Sequence, residues 1–263
     1  MHAIVSGRAR EQPEETKLLE AHDQALPLWE RRLASLLPVI AYAPEHFERE
    51  VRSLLDLVEN RPLEDGYTAW RELSEWGTWW LGYACGAFAL FQEAWPALSV
   101  LVPATFSNRN GARRGLVDPV RESIGHDLGA AVMRRFSESK WLVPRWQHLE
   151  WSLFNCGVLK ERWPEFLEGE QPRFPALPNF DLLVSIHFGL DGRSVLAHWS
   201  MSYGGGEQLA RRLRGDSRYR EAVAGVLGAD ADELVEKAAA LLPEMRFSDW
   251  ANSNAVDVLK GEA

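Results

Sequence analysis

The sequence predicts a mainly α-helical protein, a multi-helix globular bundle that carries one small C-terminal β-hairpin (α+β). Three observations lead to this prediction. The run from Trp76 to Phe91 contains no charged residue, which is typical of a helix buried on all sides. Apolar residues recur at helical spacing through most of the first 168 residues. After residue 178 the apolar period changes to two, as in a strand with one covered face.

The composition is that of a soluble globular protein with an unusual amount of tryptophan. Of the 263 residues, 46% are hydrophobic, 25% are charged and 12 are Trp. Because indole rings bury large areas, we expect most of them in the core, with Trp141, Trp146 and Trp163 as interface candidates. The net charge of -9 disfavours a nucleic-acid-coating role for the whole protein.

We expect a cytoplasmic protein without a membrane span. The Trp76–Phe91 run is shorter than the roughly 18 to 20 apolar residues that cross a bilayer. Pro96 and Pro103 interrupt the next apolar piece. Residues Met1 to Thr16 lack the apolar centre of a signal peptide. A membrane-associated protein is the remaining alternative for this run.

Other helices follow from apolar periodicity and from proline positions. Pro27 either divides the first helix or starts its second part. Asp118-Pro119 is a typical helix start, with a cap followed by proline at the first position. The helices predicted in this way, besides the tryptophan-rich run, cover 15–41, 44–60, 118–136 and 144–156.

The segment Gly169–Pro178 contains three prolines and is predicted to be a linker. It divides the chain into a helical core domain, 1–168, and a second unit, 179–245. This second unit consists of the β-hairpin and closing helices packed on the core. Residues 246–263 are expected to form a loose tail.

The predicted hairpin begins after the linker. Its two strands are joined by Asp191-Gly192, a strong hairpin-turn pair. The predicted apolar face of the hairpin consists of Leu182, Val184, Ile186, Phe188, Val195, Ala197, Trp199 and Met201. The register set by the turn places the polar residues Ser185, His187, His198 and Ser200 together on the other face.

The polar face of this hairpin is the first candidate site, with His187 and His198 as catalytic residues. Imidazoles titrate near neutral pH, so two on neighbouring strands suit proton relay or phosphate chemistry. His198-Trp199-Ser200 resembles one copy of the His-x-Ser/Thr pattern of two-histidine phosphoesterases. That family needs a second copy, which His187-Phe188-Gly189 does not supply. The alternative is a half-exposed hairpin whose polar face meets water.

A glycine run before a helix, followed by arginines, is the second candidate site. Backbone N–H groups at a helix start bind anions, and glycine permits close approach. The candidate ligand-binding residues are Tyr203, Gly204, Gly205, Gly206, Arg211, Arg212 and Arg214. The alternative is a flexible turn with arginines on a solvated helix face, since the run lacks the Lys and Ser/Thr of a phosphate loop.

No metal site or cofactor is expected. The histidines are scattered, with no pair at ligand spacing on one helix face and no Cys-x-x-Cys. Cys85 and Cys156 are expected as buried free thiols in a reducing compartment. A disulfide between them stays open as an alternative, because spacing alone cannot show whether the fold brings them together.

The start of the tryptophan-rich region resembles a pattern in the helical C-terminal regions of some large bacterial (antiphage-type) defence proteins. The matching residues are Tyr67-Thr68-Ala69-Trp70 and Trp79-Trp80-Leu81-Gly82-Tyr83-Ala84-Cys85-Gly86-Ala87-Phe88-Ala89. In that family a Leu-x-Tyr-Ala-x-Gly helix follows a Tyr-x-Ala-Trp-like loop and accompanies a separate effector domain. The resemblance implies a helical scaffold or sensor part that acts beside another protein.

The expected function is that of a non-enzymatic cytoplasmic interaction protein, namely a scaffold, sensor or accessory subunit whose partner is another protein. The resemblance adds a role in bacterial defence. The alternative is a phosphate-directed enzyme, of the phosphoesterase or nuclease type, or a nucleotide or nucleic-acid binder. This alternative uses His187 and His198 together with the cluster Arg211–Arg220.

Overall fold

The computed structural model describes residues 15–59, 68–107, 113–117, 144–168, 176–192, 206–244 and 254–261. Within these ranges the fold is mainly α-helical with one small antiparallel sheet, which confirms the predicted class. The first half contains α1 (Glu15–Tyr42), a 3₁₀ turn (Pro44–His46), α2 (Phe47–Glu59), α3 (Thr68–Phe91), α4 (Trp95–Leu101), β1 (Thr105–Ser107) and β2 (Arg113–Gly115). The second half contains α5 (Pro144–Phe154), α6 (Gly157–Arg162), a 3₁₀ turn (Pro164–Leu167), α7 (Ala176–Leu190), α8 (Glu207–Gly215), α9 (Ser217–Leu227), α10 (Ala231–Glu244) and α11 (Asn254–Lys260).

Helix α3 lies at the centre of the fold. Every residue from Trp76 to Leu90 is buried, because α1, α4 and α7 pack around this helix. Two of its glycines allow neighbouring elements to approach closely. A Cβ on Gly77 would overlap the Trp29 indole of α1, and a Cβ on Gly86 would overlap the Phe180 ring of α7. The prediction of a helix buried on all sides is therefore confirmed from Trp76 to Leu90, and it is wrong for Phe91, the last residue of the predicted run, which is 40% exposed.

None of the helices in the described ranges combines the length and the apolarity that crossing a bilayer requires. The tryptophan-rich helix α3 is instead covered by protein from Trp76 to Leu90.

The second half packs on the first through α7. Helix α7 contacts α3 of the first half and α8 and α10 of the second, and α9 packs on α4. Helix α10 is capped by Asp230, whose carboxylate accepts the N–H of Asp232 at 2.8 Å. One hydrophobic cluster runs from Leu18 to Leu259 through both halves. The division into 1–168 and 179–245 stays a prediction.

The prediction of a hairpin beginning at Leu182 is wrong. Residues up to Leu190 form α7, in which every residue from Ala176 to Gly189 is buried. Asp191-Gly192 ends this helix instead of turning a hairpin, and Gly192 takes the left-handed φ of 71°. The predicted returning strand, 195–201, lies outside the described residues. The observed sheet pairs β1 with β2, in the register Thr105↔Gly115, Phe106↔Arg114 and Ser107↔Arg113.

Three smaller corrections concern helix limits. Helix α1 runs through both Pro27 and Pro38 without a break. The predicted linker ends early, because α7 already begins at Ala176. The tail 246–263 is not loose throughout, since α11 packs on α8 and α10. The helix predicted at 118–136 lies outside the described residues.

Candidate functional site

The first candidate residue, His187, lies in the last turn of α7 and not on a strand. Its side chain is 11% exposed, and Nε2 lies 3.9 Å from Oδ2 of Asp191, one helical turn further on. The imidazole also contacts the Phe188 ring edge-on at 5.3 Å. Ser185 is fully buried on the same helix. His198 and Ser200 lie outside the described residues, so the proposed histidine pair on one sheet face loses its structural basis.

Of the predicted glycine run, only the last residue, Gly206, lies in the described part of the chain. Gly206 is the N-cap of α8, and its left-handed φ of 83° explains why glycine stands there. Tyr203, Gly204 and Gly205 lie outside the described residues. The first residue of α8 is Glu207, whose carboxylate already supplies a negative charge at this helix start. An anionic ligand would meet that carboxylate.

The arginines of α8 face acidic partners. The Arg211 guanidinium pairs with the Glu207 carboxylate one turn earlier on the same helix. Arg212 pairs at 2.7 Å with Glu93, which lies in the turn between α3 and α4. These two cations are therefore neutralised by the protein itself, which leaves less charge for a phosphate.

Backbone carbonyls at helix ends accept hydrogen bonds from two further arginines. Arg214 donates to the carbonyls of Val258 and Leu259, at 3.2 and 3.1 Å. Arg220 donates to the carbonyl of Leu213 at 3.0 Å. Both residues satisfy carbonyls that a helix end leaves without an intrahelical partner. Arg212, Arg214 and Arg220 thus join helices to neighbouring elements, and this role was not visible in the sequence.

The Glu93–Arg212 pair belongs to a contact that sequence reasoning missed. The Arg212 guanidinium stacks over the Tyr219 ring at 3.6 Å from its centroid. Tyr219 in turn packs edge-on against Trp95 of α4, with 5.1 Å between ring centroids. Burial raises the pKa of Tyr219 to about 12, although the nearby Arg212 charge acts in the opposite direction. This contact ties α8 and α9 to the corner between α3 and α4.

An aromatic cluster reaches the surface at the end of α3. Phe88 is buried and packs edge-on against Trp163 and Phe166, at 5.2 and 5.4 Å. Phe91 contacts Phe166 at 5.5 Å and yet keeps 40% of its surface exposed. The expectation of Trp163 as an interface residue is wrong, because only 7% of it is exposed. Trp141 lies outside the described residues.

Two aromatic side chains in the core, Trp80 and Tyr83, form hydrogen bonds to polar side chains of other helices. Nε1 of Trp80 donates to Oγ of Ser152 at 2.6 Å, and that hydroxyl donates to the carbonyl of Leu149 at 2.9 Å. The Tyr83 hydroxyl donates to Oδ1 of the fully buried Asp181 at 3.2 Å. Asp181 is the one acidic residue in α7, and this break in an apolar run is the sequence feature by which it can be found.

The thiols are unreactive in this fold. Cys85 and Cys156 are both free and buried, as the sequence predicted. Burial raises the pKa of each thiol, to about 11 for Cys156, so both stay protonated near neutral pH. In the described part of the chain, no group of three or more His, Cys, Asp or Glu side chains is arranged to hold a metal ion.

Two features of the described surface bear on function: the exposed Phe91 ring, two residues before the Glu93 that pairs with Arg212, and the arginines that bind helix ends. Comparisons of the chain with protein-family models, with curated proteins and with solved structures found no match.

Proposed function

We propose that this chain is a non-enzymatic interaction protein, a scaffold, sensor or accessory subunit that binds another protein in the cytoplasm. The observation that carries the proposal is that the Phe91 ring is partly exposed to solvent while two other aromatic rings hold it in place. A role in bacterial defence is proposed only on the resemblance of residues 67–89 to the helical regions of antiphage-type proteins.

Phe91 has the properties of an interface anchor. Large aromatic side chains held rigidly at the surface lose little conformational entropy on binding, and they dominate many interfaces. Phe91 is held by Phe88 at 6.4 Å and by Phe166 at 5.5 Å, and 40% of it faces solvent. Two residues on, Glu93 and its partner Arg212 supply polar groups at the edge. An apolar centre beside polar groups is the usual arrangement of a protein–protein interface.

A photo-crosslinking experiment tests this proposal. Benzoylphenylalanine replaces Phe91 in the full chain, expressed in its own host and irradiated. Tyr42 is the matched control, because it is also aromatic, is 81% exposed, and has no ring contact with a described residue. We expect a discrete protein adduct from position 91 and none from position 42. An adduct from position 42 alone, or none from either position, would contradict the proposal.

The phosphate-directed alternative has less support. It requires histidines on a shared sheet face, whereas His187 lies in a helix beside Asp191. It also requires open cations, whereas Arg211, Arg212 and Arg214 each bind an acceptor of the protein. No observation on the described residues favours it over the interaction role.

A further inference from the structure

We draw no further inference here: the strongest candidate, the surface of the α1–α2 pair on which Leu28 and Leu57 are exposed, carries nothing because nothing in the described part of the chain shows what covers it.

Discussion

Glu93 occupies a backbone conformation that normally belongs to glycine. Its φ is 52°, and it follows α3 at the position where a left-handed residue ends a helix. The N–H of Ala94 donates to the carbonyl of Ala89 at 2.8 Å, and that of Glu93 to Leu90 at 3.2 Å, which completes this type of helix end. The ion pair between the Glu93 side chain and Arg212 offsets the energetic cost of this left-handed backbone conformation.

Two substitutions at Glu93 should separate the energetic effect of the left-handed backbone conformation from that of the ion pair with Arg212. Glu93→Gly relieves the left-handed conformation but loses the ion pair, so we expect a free energy of unfolding close to that of the parent. Glu93→Ala loses the pair and keeps the strain, and we expect it to be about 1 kcal/mol less stable than Glu93→Gly. Urea unfolding measures the difference. Equal stabilities of the two variants would show that the conformation is not strained.

At the scale of elements, α7 shows that the spacing of apolar residues does not distinguish a fully buried helix from a strand. An apolar run can be a buried strand or a helix buried on all sides, and only amphipathic helices show the helical period. Because α3, α8 and α10 surround α7, even its polar residues Asp181 and Ser185 are buried. The alternation from Leu182 to Phe188 therefore had no relation to an exposed and a covered face. Asp191-Gly192 is equally suitable for a helix end and for a hairpin turn.

Helix α1 shows that tertiary packing can maintain a helix through a proline that is expected to break it. Proline inside a helix removes a hydrogen bond and costs about 3 kcal/mol, which is why the sequence predicts a division or a new helix start at Pro27. The helix nevertheless continues, because Trp29, Leu33 and Leu37 pack against the core beyond the proline. Tertiary burial outweighs the local penalty.

The contact between α3 and α7 can be tested at Gly86. A methyl group at this position meets the Phe180 ring, and we expect Gly86→Ala to lower the free energy of unfolding by about 1 to 3 kcal/mol. Gly225→Ala is the matched control in α9, where no atom other than the neighbouring residues and the backbone of the same helix lies within 4 Å of the new Cβ. In the control, the free energy of unfolding should rise by up to about 1 kcal/mol, because alanine has a higher helix propensity than glycine. A neutral Gly86→Ala would mean that the helices lie further apart.

At the scale of the whole molecule, a single continuous core holds the thiols out of water. The pKa of Cys156 is raised from 9.0 to about 11, and that of Cys85 is raised further. A raised folded-state pKa means stability that is present below pH 9 and is lost as the pH rises through the folded value. Only the unfolded chain releases these protons between pH 9 and 11.

We therefore expect the free energy of unfolding to fall between pH 8 and pH 10 by about 1 kcal/mol for each thiol. For the Cys85→Ala/Cys156→Ala variant, the free energy of unfolding should fall by correspondingly less over the same pH interval, whatever its value at pH 8. Urea unfolding at the two pH values measures both changes. The same loss in parent and variant would show that the thiols do not contribute.

The amino-acid sequence by itself determined the class of fold, the burial of Trp76 to Leu90, the start of α8 after the glycine run, and the burial of both cysteines. These follow from composition, periodicity and capping, which are local properties of the chain. Only the tertiary structure decided that α7 is a helix, that the arginines of α8 bind Glu93 and the end of α11, and that α11 docks at all. Those outcomes depend on what surrounds each segment, because packing on every side removes the amphipathic pattern and because an arginine's acceptor can lie far away in the sequence.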